Sequence, residues 1–236
     1  VLRILAAGEP IPLNKMGFSK WNYDNFISII SQPYGIIFVC GPTGSGKTTS
    51  LHSALGYINK PETKIWTAED PVEITQRGLR QVQVHPKIGF DFANAMRSFL
   101  RADPDVIMVG EMRDRETMEI GLTAAETGHL VLSTLHTIDA GQTINRILGM
   151  FEQEEQPQVR NRLVDTLRWI VSQRLLPRVG GGRVAAMEIL RTSLRVKDLI
   201  MNGETEDKTY YNIVSEGSAL DMRTFDQHIL ELYSRG

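Results

Sequence analysis

The chain has 236 residues, 42% of them hydrophobic and 23% charged, which suits one globular domain of generous size or one domain with an appended subdomain. Its formal net charge of −2 and its scattered Lys and Arg residues argue against a nucleic-acid-binding surface. The single cysteine, Cys40, excludes an internal disulfide and a zinc cluster built on thiolates, and we interpret it as a small buried apolar residue of a protein in a reducing compartment.

Membrane insertion is also not expected, because no apolar run reaches the roughly 18 residues of a spanning helix and no basic-then-apolar leader opens the chain. Residues 1–5 (VLRIL) read as the end of a β-strand with nothing before it to pair with. We therefore expect a fragment of a longer protein, in which residues 1–15 are the tail of a mostly absent N-terminal domain and a linker.

From Gly35 onwards, short apolar runs alternate with longer amphipathic ones, the pattern of a parallel sheet covered by helices, so the predicted fold class is α/β. Brief strands rich in aliphatic and β-branched residues are predicted at 36–40, 64–68, 106–109 and 130–135. Helices are predicted at 47–59, 92–100 and 115–127. Lys60-Pro61 ends the first of them, and Gly128 stops the third at a C-cap position.

After Phe151 the pattern becomes helical. Pro157 suits the first turn of a helix with an apolar stripe at Val159, Leu163, Leu167, Ile170 and Val171. A glycine run at 180–182 and a strand-like segment at 184–190 interrupt this region. Further helices are predicted at 194–202, 206–215 and 224–234, the last with a capping box formed by Thr224 and Gln227.

The strongest motif is GPTGSGKT at residues 41–48, which matches G-x-x-x-x-G-K-[ST], follows a predicted strand and opens a predicted helix. Glycines at 41, 44 and 46 let backbone N–H groups surround phosphates, and the helix N-terminus adds partial positive charge. Lys47 would reach the β- and γ-phosphates of ATP, and the Thr48 hydroxyl would hold Mg²⁺. The alternative is a plain glycine-rich turn. The predicted nucleotide-binding residues are Gly41, Pro42, Thr43, Gly44, Ser45, Gly46, Lys47, Thr48 and Thr49.

Acidic residues decide whether the nucleotide is hydrolysed, because a carboxylate has to orient and deprotonate the attacking water. Glu111 follows strand 106–109 at the carboxyl edge of the sheet, where open α/β sheets bind ligands, and is the candidate base. Gly110 stands where many phosphate-loop enzymes place an Asp for Mg²⁺, so Glu69 and Asp70, after strand 64–68, become candidates. The predicted metal ligands are Thr48, Glu69, Asp70 and Glu111. The alternative for the acids at 69 and 70 is a solvated turn.

Two histidines, His129 and His136, stand at the start and the end of strand 130–135 and thus on opposite faces in ideal strand geometry. A histidine beside the γ-phosphate could sense the nucleotide state or donate a hydrogen bond. The alternative for each is an ordinary structural histidine, and this alternative is stronger for His129 than for His136. Few other soft ligands lie nearby, so zinc binding is not expected.

Together, GPTGSGKT, TAEDPVE, LRADPDVIMVGEMRD and TGHLVLSTLHT resemble the Walker A, Asp-box, Walker B and His-box motifs of the type II/IV secretion and type IV pilus ATPase superfamily. Their order and spacing correspond, and the resemblance extends from about residue 1 to 236. It implies a RecA-like core at 16–152 and a mostly helical C-terminal region at 153–236 of the same ATPase domain. It further implies a cytoplasmic homo-hexamer that hydrolyses ATP with Mg²⁺ and associates with the inner membrane through a pilus or secretion platform protein.

The resemblance also implies roles for individual side chains. The implied catalytic residues are Glu69, Glu111, His129, His136, Arg113 and Arg3. Arg3 matches an arginine that, in the secretion members, reaches nucleotide phosphates from the preceding domain. Arg113 matches the family pattern, although a structural ion pair with Asp114 or with the Asp-box acids explains it equally well.

Different segments point to different branches of this superfamily. TAEDPVEI and SFLRADPDVIMVGE resemble the assembly and secretion members of the PilB and GspE kind. VGGGRVAAMEIL resembles the retraction members of the PilT and PilU kind, and no paired cysteines follow residues 173–175, where assembly and secretion members usually carry a zinc loop. The segment at 193–204 only approximates the retraction hallmark AIRNLIRE. We favour pilus retraction, with pilus assembly or type II secretion as the alternative.

Three other functions fit the sequence less well. A nucleotide-dependent switch without turnover would predict the loss of Glu111, which is present. A DNA translocase would predict a surface stretch of aromatic and basic residues. A small-molecule kinase would predict an arginine-rich lid and would leave the His box unexplained.

Overall fold

The computed structural model describes residues 9–234, so Arg3 and the strand predicted at 1–5 lie outside the described part. The strands are β1 (Gly35–Cys40), β2 (Ile65–Glu69), β3 (Arg80–Gln83), β4 (Val106–Val109), β5 (Leu130–Leu135), β6 (Leu167–Pro177) and β7 (Arg183–Arg191). The α-helices are α1 (Lys20–Ile30), α2 (Lys47–Ile58), α3 (Phe92–Phe99), α4 (Arg115–Glu126), α5 (Ala140–Leu148), α6 (Gln156–Thr166), α7 (Leu194–Asn202), α8 (Tyr210–Ser215) and α9 (Phe225–Ser234). Short 3₁₀ turns lie at Leu13–Lys15, Pro86–Ile88 and Ser218–Leu220.

The described strands form one seven-stranded sheet in the order β3-β2-β4-β5-β1-β6-β7. All neighbouring pairs are parallel except β6 and β7, which form an antiparallel hairpin. The predicted α/β class is confirmed. In this arrangement β1, β2, β4 and β5 all end at the same edge, so the loops that follow them converge there.

Helices cover both faces of the sheet, which explains why its central strands are continuous apolar runs. Alternate residues of β1 enter different cores: Ile36, Phe38 and Cys40 pack on the side of α4 and α5, whereas Ile37 and Val39 pack on the side of α1 and α2. Cys40 is fully buried, as predicted. Among residues 9–234, no helix has the length and apolar character needed to span a bilayer.

Most predicted elements agree with the structure to within one residue at each end, including the strands that became β1, β2, β4 and β5 and the helices that became α2, α3, α4, α7 and α9; β3 was not predicted. The helix predicted at 206–215 is shorter, because Thr209 caps α8 immediately before Tyr210. The predicted capping box is present: the Thr224 N–H donates to Gln227 Oε1 at 3.0 Å, and the Gln227 N–H donates to Thr224 Oγ1 at 3.2 Å.

The prediction that one helix continues through Leu167, Ile170 and Val171 is wrong. Helix α6 ends at Thr166, and the next eleven residues form β6, which pairs with β1 on one side and β7 on the other. The apolar residues fitted a helical stripe, but they belong to a strand that is buried on both faces, where periodicity does not distinguish the two structures. The C-terminal region therefore adds two strands to the sheet besides its helices, and the glycines at 180–182, all at positive φ, form the turn between them.

Candidate active site

A cavity of about 490 Å³ opens at the carboxyl edge of the sheet, where β1, β2, β4 and β5 end. Residues of all four predicted motifs line it. They include Thr43, Gly44, Gly46, Lys47, Thr48 and Thr49 of the phosphate loop, Glu69 and Asp70 of the Asp box, Glu111 and Arg113 after β4, and His136 after β5. The sequence motifs, up to 95 residues apart in the numbering, are thus brought to one place by the topology of the sheet.

The phosphate loop runs from the end of β1 to the start of α2. Gly41 has φ +147°, and a Cβ there would lie 2.3 Å from the carbonyl oxygen of Gln173, so only glycine fits this position. The N–H of Ser45 donates to the Pro42 carbonyl, whereas the N–H groups of Gly44, Gly46 and Lys47 donate to no acceptor within residues 9–234. Unpaired N–H groups at the start of a helix form an anion-binding site.

Lys47 lies inside this loop. Its Nζ donates to the Gly41 carbonyl at 2.7 Å and to the Pro42 carbonyl at 2.9 Å. Burial lowers the pKa of Lys47, and the nearby Cys40 and Glu111 oppose that effect. The loop therefore brings together unpaired N–H donors and a basic side chain whose hydrogen-bond partners, among the described residues, are two main-chain carbonyls. This combination fits the phosphates of a nucleotide.

Gln173 of β6 supports the loop from behind, a contact that the sequence did not predict. Its Nε2 donates to the Ser45 carbonyl at 2.7 Å, and its Oε1 accepts from Ser50 Oγ at 2.8 Å. The side chain is buried. Gln173 lies next to the loop because β6 pairs with β1. The sequence pattern predicted a helix through Val171 and no strand at this position, so it could not place Gln173 there.

Glu111 faces the cavity with 16% of its side chain exposed. Arg113 Nε lies 2.5 Å and His136 Nε2 3.5 Å from Glu111 Oε1. Burial tends to raise the pKa of Glu111, but the hydrogen bond and charge of Arg113, with a contribution from His136, outweigh it and hold the pKa below its ordinary value. The carboxylate is thus ionised at neutral pH and next to two groups that can carry positive charge.

The suggested ion pair between Arg113 and Asp114 is wrong. Asp114 instead caps α4, where its carboxylate accepts hydrogen bonds from Thr117 N and Thr117 Oγ1, each at 2.9 Å. The hydrogen bond to Glu111 is the largest influence on the pKa of Arg113 and raises it, and Asp70 adds a weaker electrostatic attraction. Arg113 therefore belongs to the cavity and is oriented by the candidate base.

Glu69 is buried at the end of β2, with 3% of its surface exposed. Its Oε2 lies 3.0 Å from His52 Nε2, and its Oε1 accepts from Thr67 Oγ1 at 2.6 Å and from Gln81 Nε2 at 3.0 Å. Burial alone would raise the pKa of Glu69, but these hydrogen bonds lower it. Asp70, by contrast, is exposed at the rim of the cavity.

The sequence did not single out His52 or Gln81. The available signal was a polar residue within the buried face of the helix that follows the phosphate loop. His52 has no exposed surface, which is unusual for a histidine without a structural or functional partner.

His129 does not join the cavity. It lies before the start of β5, at the opposite edge of the sheet, where its Nδ1 is 2.9 Å from the Ala124 carbonyl and 3.2 Å from Thr127 Oγ1 at the end of α4. In this position the ring donates to a carbonyl in the last turn of α4, which also accepts from the His129 N–H and from Thr127 Oγ1, each at 3.1 Å. The structure thus separates the two histidines, and only His136 is near the phosphate loop and Glu111.

Within residues 9–234, no cluster of three His, Cys, Asp or Glu side chains forms a metal site. Thr48 lines the cavity with Asp70 and Glu111, and its hydroxyl has no hydrogen-bond partner in the same range. This set suits Mg²⁺ better than zinc, because Mg²⁺ is commonly held by a few protein oxygens together with phosphates and water.

Comparison with known proteins agrees with this picture. A family model described as "Type II/IV secretion system protein" matches residues 1–181. The chain is 43% identical over 218 residues to the type IV pilus retraction ATPase PilT of Pseudomonas aeruginosa, covering 89% of this chain and 62% of that protein. It is 55% identical over 151 residues to the type IV pilus assembly ATPase PilB of Myxococcus xanthus, covering 64% of this chain and 27% of that protein.

A crystal structure of the pilus retraction motor PilT with bound ADP is similar over 99% of this chain and 66% of that one, with a TM-score of 0.84 and 41% sequence identity. The chain thus spans less than two thirds of the length of each of these relatives.

Proposed function

The chain belongs to the type II/IV secretion system protein family, and on that premise we propose that it is the ATP-hydrolysing part of a hexameric motor that powers type IV pilus retraction. One observation carries the proposal: the unpaired N–H groups and Lys47 of the phosphate loop share a cavity with the ionised Glu111. The ADP in the similar PilT structure supports a nucleotide as the ligand.

The proposed chemistry assigns one task to each part of the cavity. The loop N–H groups and Lys47 bind the phosphates, so that phosphate oxygens replace the Gly41 and Pro42 carbonyls as partners of Lys47. Thr48 would hold Mg²⁺, which neutralises phosphate charge when bound. Glu111 orients the attacking water and accepts its proton, while Arg113 and His136 sit where charge develops on the transferring phosphoryl group.

Retraction is favoured over assembly by the extent of the similarity. The identity to PilT extends over 89% of the chain, whereas the higher identity to PilB is confined to 64% of it. The region after β6 also lacks cysteines, since Cys40 is the only one in the sequence. Pilus assembly or type II secretion is the second candidate, because the match to PilB, although shorter, has 55% identity against 43% for PilT.

Several parts of this proposal concern the whole motor rather than the described chain. We infer that the protein forms a homo-hexamer, uses ATP with Mg²⁺, and works in the cytoplasm against an inner-membrane platform protein, without nucleic acid or zinc. The roles of Arg3 as a charge-stabilising residue and of His129 as a second His-box histidine stay predictions. His129 would need a neighbouring subunit to bring it near a nucleotide, since within its own chain it lies at the far edge of the sheet.

The test is pilus behaviour in cells whose full-length protein carries Lys47→Ala. Lys60→Ala, at an exposed position two residues beyond the end of the same helix, is the matched control. Cells that keep their pili but cannot retract them would support a retraction motor. Cells that lose pili or secretion would assign the protein to assembly or secretion instead, and wild-type behaviour would refute the motor role of the phosphate loop.

A further inference from the structure

Four polar residues at the wall of the cavity form a closed hydrogen-bonded ring, in which the link from Gln76 to Gln81 runs through the main-chain N–H of Gln76. They are His52 of α2, Glu69 at the end of β2, Gln76 in the following loop and Gln81 of β3. His52 is 0%, Glu69 3% and Gln76 6% exposed. Buried polar groups of this kind are costly unless each is satisfied, so the direction of every hydrogen bond in the ring is informative.

The proton on His52 can be assigned from its neighbours. The main-chain carbonyl of His52 can only accept, so the Gln76 side-chain atom 2.9 Å from it is the amide nitrogen, Nε2. The same nitrogen lies 2.8 Å from His52 Nδ1, which therefore accepts a hydrogen bond. A neutral imidazole that accepts at Nδ1 carries its proton on Nε2, and that N–H donates to Glu69 Oε2 at 3.0 Å.

The oxygen and nitrogen of the Gln81 side-chain amide can be assigned from their partners in the same way. Its Oε1 accepts from the Gln76 N–H at 2.7 Å, so its Nε2 is the donor to the Ile74 carbonyl at 2.8 Å and to Glu69 Oε1 at 3.0 Å. The two amide orientations and the position of the His52 proton are thus all determined by their hydrogen-bond partners. Glu69 receives donors at both carboxylate oxygens, and His52 is the one donor to its Oε2 among the described residues.

His52 also connects Glu69 to the phosphate loop. It follows Thr48 by four residues in α2, so both side chains lie on the same face of that helix, and both line the cavity. Any movement of the start of α2 when phosphates bind therefore reaches the Glu69 carboxylate through a buried hydrogen bond. No other side-chain bond in the described part joins α2 to Glu69.

We propose that His52 is a positioning residue for ATP hydrolysis, which holds the Glu69 carboxylate in a fixed orientation relative to the phosphate loop. The inference rests on the proposed ATPase function and adds to it a residue that acts through Glu69 rather than on the nucleotide. If His52 has this role, the rate of ATP hydrolysis depends on the Nε2–H donor and much less on the volume of the imidazole.

Two variants of similar size separate these possibilities. His52→Gln can place an amide nitrogen near the position of Nε2 and keep a donor to Glu69, whereas His52→Asn reaches only the position of Nδ1 and loses that donor. In the full-length protein we expect His52→Asn to lower kcat for ATP hydrolysis roughly 10- to 100-fold, the worth of a hydrogen bond to a charged group, and to change KM by less than about 3-fold. His52→Gln is expected to recover kcat to within about 5-fold of the wild type.

The split between kcat and KM supplies a readout that a merely structural role would not produce. A general loss of packing at the cavity would lower kcat and raise KM in both variants, whereas loss of the Nε2–H donor alone lowers kcat in His52→Asn and leaves KM nearly unchanged. Recovery of kcat in His52→Gln, which keeps a donor but not the imidazole, therefore reports on the hydrogen bond to Glu69.

Equal kcat values in the two variants would overturn the proposal, whether both resemble the wild type or both are impaired. If His52→Asn does not fold, His52→Gln decides alone: a loss of kcat beyond 10-fold would also overturn the proposal. Absence of ATP turnover in the wild-type protein would be a different result, because it would refute the proposed function itself.

Discussion

Replacement of Gln173 by Met tests how firmly β6 holds the phosphate loop. The two side chains are similar in length and volume, so the change removes hydrogen bonds without opening a large cavity. Ser45 then keeps a buried carbonyl without a donor, at a cost of about 1–3 kcal/mol. Ser50 loses its acceptor, worth about 0.5–1.5 kcal/mol, although its hydroxyl can still bond to the preceding turn of α2. The expected loss is about 2–4 kcal/mol of unfolding free energy.

Urea unfolding of the wild type and the variant measures this loss from the shift in midpoint at constant slope. Gln158→Met, the same change on the exposed face of α6, is the control and should stay within about 0.5 kcal/mol of the wild type. We also expect a higher KM for ATP in Gln173→Met, because the loop that binds the phosphates loses its support. Equal stability of Gln173→Met and Gln158→Met would show that the buried hydrogen bonds of Gln173 do not stabilise the loop.

Two further predictions concern the buried ionisable groups Glu188 and Cys40. Burial, partly opposed by a hydrogen bond from the Ala140 N–H, raises the pKa of Glu188 from 4.5 to about 7. Between these pH values the folded state holds a proton that the unfolded state has lost, so the free energy of unfolding falls as pH rises. Glu188→Gln has no such proton, so urea unfolding should show its stability relative to the wild type rising by roughly 1–3 kcal/mol from pH 5 to pH 8; no change would contradict this. Burial raises the pKa of the Cys40 thiol to about 11, so its reaction with a thiol reagent at pH 8 should be at least roughly 100-fold slower than that of free cysteine until urea unfolds the protein, and fast reaction of the folded protein would show that Cys40 is accessible.

The sequence predicted the parts of the fold whose pattern is local. β1, β4 and β5 are short apolar runs bounded by turn residues, and α4 is followed, two residues after its end, by Gly128 at positive φ. β6 was missed because residues 167–171 satisfy a helical stripe and a buried strand equally well, and only pairing with β1 and β7 decides between them. β3 has the sequence RQVQ at the edge of the sheet, where mostly polar residues leave no apolar signal.

In the candidate site, too, the residues of local motifs were predicted and the contacts between distant residues were not. The phosphate loop, Glu69, Glu111 and His136 are parts of contiguous motifs, and the order of the strands brings them together. The supporting contacts join residues far apart in the chain: 17 positions separate His52 from Glu69, and 128 separate Ser45 from Gln173. No local pattern encodes such pairs, because each depends on which elements the sheet places side by side.

The proposed hydrolysis of ATP with Glu111 as the base is tested most directly by ATP binding and turnover in full-length Glu111→Gln beside the wild type. The variant is expected to bind ATP, since the phosphate loop is intact, but to hydrolyse it at least roughly 100-fold more slowly because no carboxylate accepts the proton of the attacking water. Normal turnover in Glu111→Gln would show that the base lies elsewhere, with Glu69 as the first candidate.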